Sequence, residues 1–246
     1  MSSSEDNSIK EQPLTKRAKL DNPKDQTEGE LDAFEDVLFD GTTRPQDLIK
    51  PYLDGLIPYV NDTANHTDEL YHEDKACVVV RDTYNKARCH MLVIPKRSID
   101  EPKCLTTADL PLLQHIHERS LWVIAKMKRD HPELRDVGFR AGIHAIPSVR
   151  QLHIHVISQD FDSERLKNKK HWNSFTTEYF IDTDELLAML KAKGEVKVDS
   201  EKVQAALKRD MKCHVCDQPL RNIPLLKKHI KTHLPASMTT AQPEDV

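Results

Sequence analysis

Two cysteines and two histidines near the C-terminus constrain the fold of this chain more than any other feature. Within residues 213–233, CHVCDQPLRNIPLLKKHIKTH, a C-x2-C pair is followed by twelve residues and then by an H-x3-H pair. The four residues are Cys213, Cys216, His229 and His233. Thiolates and imidazoles at these spacings suit tetrahedral Zn²⁺, and a closed set of four ligands holds a structural ion. The pattern therefore predicts one zinc ion in a small finger that needs the metal in order to fold.

The same segment predicts a short helix and a small apolar core for the finger. Helical spacing is followed by Leu225, Leu226, His229, Ile230 and His233, so both histidines share one face. Leu220 and Leu226 are the expected core residues.

Basic residues are concentrated around the finger. Residues 202–233 contain eight Lys or Arg against two Asp, and Lys227, Lys228 and Lys231 lie on the predicted helix. Such a surface either contacts DNA phosphates or is an ordinary solvated face. A sequence-specific reader normally uses several fingers in an array. A lone finger therefore indicates an accessory DNA clamp or a module that binds a protein partner.

The N-terminal residues have a different composition. Residues 1–40 contain five Lys or Arg against eleven Asp or Glu and show little periodicity, which is typical of a disordered tail. Within them, Lys16, Arg17 and Lys19 form a short basic cluster of the nuclear-import type. We expect a nuclear protein, with the cytoplasm as an additional location. No apolar run approaches a membrane span, and MSSSEDNSIK lacks the apolar stretch of a signal peptide, so no membrane partner is expected.

These features divide the chain into four parts. We predict a disordered acidic tail at 1–40, a larger domain at 41–195, the zinc finger at 196–236 and a flexible C-terminus at 237–246. The cysteine count is five, and an odd number without a secretory signal argues against a disulfide framework. Cys77, Cys89 and Cys104 are expected to be small buried apolar residues.

Hydrophobic patterning predicts an α+β fold for the larger domain. Strands are expected at 76–80, 89–95, 137–145 and 152–158, and helices at 47–60 and 109–130. Thr106 or Thr107 is available to cap the second helix, and Pro111 lies in its first turn. Short gaps between strands favour an antiparallel sheet flanked by helices. Residues 191–200 have the composition of a linker.

The stretch RQLHIHVISQDF, residues 150–161, contains two histidines in an apolar run. Period-two geometry directs Gln151, His153 and His155 to one face of a strand. The pair has three interpretations: buried core histidines with hydrogen-bond partners, zinc ligands that need a third ligand, or phosphoryl-transfer residues. In the last, one imidazole attacks phosphorus and its neighbour stabilises the developing charge. His144 and Ser148 precede the pair across a turn, which returns both towards the same site.

Longer stretches on both sides of the pair carry a specific resemblance. HIHVI is similar to the histidine-triad (HIT) signature, while FRAGIHAIPS before it and SQDFDSERLKNKKHWNSFTTEYF after it resemble the aprataxin family of that superfamily. The single finger that follows fits the same family, and the resemblance covers about residues 70–233. Gln151 replaces the first histidine of the signature. We expect the shorter, fungal-type arrangement without the forkhead-associated domain of animal members.

The resemblance implies a DNA-repair activity. Members of the family remove AMP from adenylated 5′ DNA ends that abortive ligation leaves behind. It implies that His153 is the nucleophile, that His155 stabilises the phosphoryl oxygens and that His144 assists the leaving group. Ser148 would hydrogen-bond the phosphate, and Gln151 would orient groups by hydrogen bonding. The chemistry itself needs no metal.

The resemblance also implies contacts to the nucleotide and to nicked or 5′-adenylated DNA. They are assigned to Asp82 and Lys86 in RDTYNKAR, to Asp162 and Ser163 after the histidine strand, to Lys167 and Lys170 in the following basic cluster, and to Tyr52 as a base-stacking residue. Taken alone, the lysine cluster is a solvated loop, RDTYNKAR is a hairpin turn, and Tyr52 is equally consistent with a core residue. Trp172 is expected to lie in the core.

Two other functions remain open from the sequence. A nucleotide-level HIT hydrolase of dinucleoside polyphosphates or AMP-amines would use the same histidines but would need neither the finger nor the basic cluster. A non-enzymatic zinc-finger DNA-binding or scaffold protein would make the resemblance around the histidines accidental. The combination of histidines, basic cluster and finger favours the DNA hydrolase.

Overall fold

The computed structural model describes residues 53–239. Its strands are β1 (Leu70–Glu73), β2 (Cys77–Arg81), β3 (His90–Pro95), β4 (Phe139–His144), β5 (Ile154–Ser158) and β6 (Phe180–Asp182). They form a six-stranded sheet in the order β1-β2-β3-β5-β4-β6, and all neighbouring strands are antiparallel. The predicted α+β class with an antiparallel sheet is confirmed. Strand β5 lies between β3 and β4, so the histidine strand occupies the middle of the sheet.

Seven helices accompany the sheet within 53–239. They are α1 (Ile57–Asn61), α2 (Leu110–Asp130), α3 (Lys169–Thr176), α4 (Thr183–Lys193), α5 (Ser200–Ala206), α6 (Ile223–Ile230) and α7 (Ala236–Thr239). Short 3₁₀ turns cover Thr63–Asn65, Pro102–Cys104, Thr107–Asp109, Pro132–Leu134 and Lys231–His233. In the part of the chain that the structure describes, none of these helices has the length and apolar character needed to cross a bilayer.

Helix α2 covers one face of the sheet and agrees with the sequence prediction. Thr106 and Asp109 form a capping box in the turn before it, and Pro111 lies in its first turn. Its predicted apolar face is buried against strand residues such as Val79 and Val93. Alternation along the strands sends Val78 and Ile94 to the opposite face.

Helix α1 covers that opposite face. Ile57 and Val60 are buried, and Val60 packs against the side chains of β2 and β3 that point away from α2. The helix predicted over 47–60 begins outside the described residues, and within them it covers only Ile57–Asn61. Both faces of β2 and β3 are therefore covered by apolar side chains.

A buried ionic cluster connects α2 to the turn between β1 and β2. The Asp74 carboxylate lies 3.0 Å from His115 Nε2 and 2.8 Å from an Arg119 guanidinium nitrogen, and it accepts the backbone N–H groups of Ala76 and Cys77. Burial alone would raise the pKa of Asp74, but its hydrogen bond with His115 and the nearby positive charges hold that pKa well below its usual value. The carboxylate is thus charged and fully engaged inside the domain.

The zinc-finger segment packs directly onto the larger domain. Leu226 and Ile230 of α6 share one apolar cluster with Phe161, Trp172 and Phe175. The indole N–H of Trp172 donates to the Lys212 carbonyl at 3.0 Å, and the expectation that Trp172 is a core residue is confirmed. Helix α3 therefore packs against both the larger domain and the finger, which share this apolar cluster.

Several local predictions are wrong. The histidine strand begins at Ile154, because Gln151 adopts a left-handed backbone (φ 73°) that interrupts the predicted period-two face. Residues 191–200 are no simple linker, since α4 continues to Lys193, Glu195 forms a β-bridge with Thr106, and Val196 is buried. Cys104 is exposed, whereas Cys77 and Cys89 are buried as expected.

Candidate active site and metal centre

Four imidazole rings lie together where β3, β4 and β5 meet. His155, on β5, has its ring centroid 4.4 Å from that of His144, 4.9 Å from that of His153 and 5.1 Å from that of His90. The strand register explains this, since β5 pairs with β3 on one side and with β4 on the other. The predicted grouping of His144, His153 and His155 is confirmed in space. His90 at the start of β3 belongs to the same cluster and was missed.

The tautomer of His153 follows from one contact. Its Nδ1 atom lies 2.8 Å from the backbone carbonyl oxygen of Gln151. A carbonyl oxygen only accepts hydrogen bonds, so Nδ1 must carry the proton. In the neutral ring this leaves the lone pair on Nε2, which is the state that a nucleophilic imidazole requires.

A second chain of hydrogen bonds sets the tautomer of His155. Two groups face His90 Nδ1: an Asp82 carboxylate oxygen at 3.3 Å and the backbone N–H of Lys86, which donates to it at 3.1 Å. The direction of the backbone N–H bond is fixed, so we assign the lone pair to Nδ1 and the proton of His90 to Nε2. That nitrogen lies 3.0 Å from His155 Nδ1, which therefore accepts, and the proton of His155 is placed on Nε2. Among the described residues, His155 Nε2 has no hydrogen-bond partner. The pocket thus holds a donor that is available for an anionic ligand.

All four imidazoles are held in the neutral form at neutral pH. Burial lowers the pKa of His90 to about 4, that of His144 to about 3, and those of His153 and His155 below their usual values. Neighbouring imidazoles lower the pKa of His144 and His155 further.

Phe175 of helix α3 forms an apolar wall of the pocket. Its ring centroid lies 4.8 Å from that of His144 and 5.3 Å from those of His90 and His155. This ring excludes water from one side of the imidazoles, which explains part of their desolvation. The sequence analysis did not predict that Phe175 contacts the histidines, because Phe175 lies on a helix that it did not predict.

Gln151 binds the main chain instead of projecting into the pocket. Its side-chain amide nitrogen donates to the carbonyl oxygens of Pro95 at 2.6 Å and Arg97 at 3.0 Å. The side chain is buried, and its amide oxygen has no hydrogen-bond partner among the described residues. The predicted orienting role therefore falls on the backbone that carries His153.

The turn after β2 places Asp82 and Lys86 beside His90. One Asp82 carboxylate oxygen accepts the backbone N–H of Tyr84 at 2.7 Å, and the other lies 3.3 Å from His90 Nδ1. The Lys86 ammonium donates to the Tyr84 carbonyl, and burial lowers the pKa of Lys86. Both predicted residues thus lie at the edge of the imidazole cluster.

The other predicted contact residues surround the site at different distances from the imidazoles. Asp162 pairs with Arg88 at 2.9 Å, and the Ser163 hydroxyl donates to the Asn85 carbonyl at 2.8 Å, so both connect the turn after β2 to the segment after β5. Ser148, Lys167 and Lys170 are exposed. Tyr52 lies outside the described residues. Binding roles for these six residues stay predictions.

Four ligand atoms converge in the finger as the spacing predicts. The donor atoms of Cys213, Cys216, His229 and His233 all lie within 4.8 Å of one another. His229 Nε2 is 3.2 Å from Cys216 Sγ and 3.1 Å from His233 Nε2, so the two rings point to one centre. Two thiolates and two imidazoles in this arrangement fit a closed structural Zn²⁺ site. The predicted helix ends at Ile230, and a 3₁₀ turn carries the last ligand.

Within residues 53–239, two further groups of potential ligands do not suit an ion. Asp74, Cys77 and His115 lie close together, but Arg119 already neutralises the Asp74 carboxylate. In the group of Asp82, His90 and His155, the two imidazoles already share a hydrogen bond, and Asp82 lies beside the opposite nitrogen of His90.

Lys227 shows that part of the basic surface is used inside the protein. Its ammonium donates to the Ser163 carbonyl at 2.6 Å, so this lysine links the finger helix to the segment after β5. Lys228 and Lys231 remain exposed.

Two families of known sequence match this chain. The family described as the scavenger mRNA decapping enzyme C-terminal binding domain matches residues 59–171, and that described as the C2HE / C2H2 / C2HC zinc-binding finger matches 176–236. The first contains all four imidazoles, and the second contains all four predicted zinc ligands.

Several similar curated proteins are named aprataxin or aprataxin-like protein. A protein named aprataxin from Gallus gallus is 44% identical over 194 residues, which cover 79% of this chain and 58% of the relative. An aprataxin-like protein from Saccharomyces cerevisiae is 34% identical, with 69% of this chain and 89% of the relative covered. This chain therefore spans little more than half of the chicken protein but nearly all of the yeast one.

Solved structures share the fold. The aprataxin ortholog Hnt3 from Schizosaccharomyces pombe gives a TM-score of 0.60 at 21% identity, covering 74% of this chain and 92% of that one. A structure of Hnt3 in complex with DNA gives a TM-score of 0.51 at 22% identity, covering 73% and 93%.

Proposed function

This chain belongs to the aprataxin family, and from that premise we propose that it removes AMP from adenylated 5′-phosphate ends of DNA during strand-break repair. The observation that carries the proposal is the pairing of a free Nε2 lone pair on His153 with an unpartnered N–H donor on the neighbouring His155. One group suits attack at phosphorus, and the other suits the charge that attack creates.

In the first step, His153 Nε2 attacks the phosphorus of the AMP unit. A nitrogen–phosphorus bond forms while the bond from that phosphorus to the bridging pyrophosphate oxygen breaks. The electron pair leaves on the 5′-phosphate of the DNA. The Gln151 carbonyl accepts a hydrogen bond from His153 Nδ1–H throughout, and this bond stabilises the positive charge that the ring gains as an adenylyl-imidazolium.

His155 supports the phosphoryl oxygens during this step. Its Nε2–H is placed by the chain from the Lys86 backbone through His90, and it faces no other acceptor among the described residues. Preorganised donors of this kind stabilise developing charge without reorganisation. His90 acts here as a positioning residue, because it reaches the substrate only through His155.

The leaving group needs a hydrogen bond more than a proton. A 5′-phosphate is stable as an anion near neutral pH, since its second pKa is about 6. A neutral His144 can donate to the departing oxygen, so its pKa of about 3 is compatible with that role. Ser148, in the turn between β4 and β5, would hydrogen-bond the same phosphate.

Water completes the reaction in a second step. Its oxygen attacks the adenylyl phosphorus, the nitrogen–phosphorus bond breaks, and its electron pair returns to His153 Nε2. AMP leaves, and one water proton passes to solvent. No metal takes part in either step; the zinc ion of the finger is structural and would be held by Cys213, Cys216, His229 and His233.

DNA is the partner that the basic surfaces fit. Exposed Lys167 and Lys170 precede or begin helix α3, and exposed Lys228 and Lys231 lie at the end of the finger. Phosphate contacts from such lysines position a duplex without reading its sequence. The Hnt3 structure in complex with DNA supports this assignment. Nuclear localisation remains a prediction from Lys16, Arg17 and Lys19, which lie outside the described residues.

The test compares AMP release from a 5′-adenylated nicked duplex with hydrolysis of a diadenosine polyphosphate, at equal concentration and without added metal. A strong preference for the DNA supports the proposal. Preference for the dinucleotide would keep the histidine mechanism and favour the nucleotide-level hydrolase. His153→Ala should abolish turnover while leaving the circular dichroism spectrum unchanged, and a surviving rate would refute the assignment of the nucleophile.

A further inference from the structure

Arg150, three residues before the nucleophile, binds the segment that precedes helix α1 at two points. Its backbone N–H donates to the Leu53 carbonyl at 2.6 Å, and its guanidinium lies 2.5 Å from the Asp54 carboxylate. Asp54 is also the first residue of the turn that leads into α1, because its carbonyl accepts the N–H of Ile57 at 3.0 Å. One ion pair therefore joins the N-terminal segment to the loop between β4 and β5.

The Arg150 guanidinium is already engaged by carboxylates of the protein. Asp54 is fully buried, while the Arg150 side chain is about one-third exposed and also lies 4.0 Å from Asp100. A buried carboxylate needs a charged partner, since removing that partner leaves an uncompensated charge in the interior. With two carboxylates beside it, the guanidinium is poorly suited to bind a DNA phosphate itself.

The nucleophile is held in place without this pair. Gln151 binds the carbonyls of Pro95 and Arg97, and the Leu152 N–H donates to the Ile99 carbonyl at 2.6 Å. These bonds tie the backbone next to His153 to the chain after β3. Arg150 instead bonds to Leu53 and Asp54, and these contacts fix the segment before α1 relative to the pocket.

We propose that the Asp54–Arg150 ion pair is a specificity device for the DNA substrate, which holds the N-terminal segment at the distance from His153 that a duplex end requires. This inference rests on the proposed function. A dinucleotide occupies the imidazole pocket alone, whereas a duplex must also contact protein beyond it. Loss of the pair therefore affects the large substrate and spares the small one. Both residues are positioning residues.

The experiment measures kcat and KM for Arg150→Ala, Asp54→Ala and the double variant. The substrates are a 5′-adenylated nicked duplex and diadenosine tetraphosphate. All three variants should raise KM for the nicked duplex about tenfold, as expected when a DNA-end contact such as base stacking is misplaced. The double variant should be no worse than either single one, because both remove the same link. Dinucleotide kcat/KM should stay within about twofold of wild type in each.

Two controls make the result decisive. Arg135→Ala removes the same charge from an exposed site before β4, at the strand end remote from His144, and should change neither substrate. The double variant removes the buried carboxylate together with its guanidinium partner, so it should fold even if Arg150→Ala, which leaves the carboxylate buried without that guanidinium, does not.

Three results would overturn the proposal. If Arg150→Ala impairs DNA turnover while Asp54→Ala does not, Arg150 contacts DNA directly. If both substrates lose activity equally, the pair supports the pocket as a whole. If KM for the duplex is unchanged in every variant, the pair has no role in DNA binding. A wild-type protein that ignores the adenylated nick but hydrolyses the dinucleotide would instead refute the proposed function.

Discussion

The Nδ1 atom of His153 lies 2.8 Å from the carbonyl oxygen of Gln151, two residues earlier in the same chain. This contact exists because Gln151 leaves the β conformation, with φ at 73°, just before the strand begins. It places the proton of neutral His153 on Nδ1 and leaves the lone pair on Nε2. The local break in the strand, and not the strand itself, thus prepares the nucleophile.

The first prediction concerns the pH dependence of the reaction. Burial lowers the pKa of His153, so its neutral, nucleophilic form persists below the ordinary value near 6.5. The acid limb of kcat/KM should therefore lie below pH 6.5, with a plateau through neutrality. A pH–rate profile with a dinucleotide substrate tests this, because that substrate avoids the pH dependence of DNA binding. An acid limb centred above 6.5 would contradict a buried, neutral nucleophile.

The second prediction concerns stability at acid pH. The native pKa of Asp74 lies well below its unfolded value near 4. Its contribution is therefore complete above that unfolded value and disappears as pH falls through the acid range. Asp74→Asn should lower the free energy of unfolding by about 3 kcal/mol at pH 7, because it leaves Arg119 and His115 without their buried anion.

Denaturant unfolding at several pH values measures the Asp74 effect. The difference between wild type and Asp74→Asn should shrink as the pH drops below about 4. Asp68→Asn, at an exposed position before β1, is the matched control and should change stability little. A difference that persisted unchanged at low pH would show that packing, and not the charge, accounts for the loss.

The third prediction concerns zinc. Trp172 donates to the Lys212 carbonyl and packs 5.3 Å from the ring of His214, which lies between the two cysteine ligands. Removing zinc should unfold the finger and expose this indole. In a Trp122→Phe background, which leaves a single tryptophan, a chelator should shift the emission to longer wavelength and lower Tm. Cys216→Ser should show the shifted emission without chelator.

If the emission of Trp172 does not change on chelation, the finger holds its packing without metal and the structural role assigned to zinc is wrong. Re-addition of Zn²⁺ should restore the original spectrum in the Trp122→Phe protein but not when Cys216→Ser is added to it.

Local spacing was sufficient to predict the parts of the site that lie close together in sequence. The zinc ligands and the His153–His155 pair are short-range patterns, and the structure brings each set together. His90 reaches His155 through strand pairing, although the two residues are 65 positions apart in the sequence. Phe175 reaches His155 from helix α3, which the sequence analysis did not predict. No local period carries that information.

The substitution of glutamine for the first histidine of the triad also needed the structure. From the sequence, Gln151 was expected to lie on the same strand face as the two histidines. The left-handed backbone instead turns its side chain to the carbonyls of Pro95 and Arg97. Positive φ at a residue other than glycine is uncommon and depends on tertiary hydrogen bonds. It therefore could not be predicted from the sequence alone.

The last prediction follows from those two bonds. Gln151→Glu keeps the shape of the side chain but removes both N–H donors and places a carboxylate beside two carbonyl oxygens. It should reduce kcat for DNA and for a dinucleotide alike by about 100-fold, because the Gln151 carbonyl that orients His153 loses its support. Gln204→Glu, at an exposed position on α5, is the matched control and should leave kcat unchanged. Equal losses on both substrates distinguish this residue from Arg150, whose removal should affect DNA alone. A Gln151→Glu protein with wild-type kcat would show that the hydrogen bonds from Gln151 to Pro95 and Arg97 are not needed to orient His153.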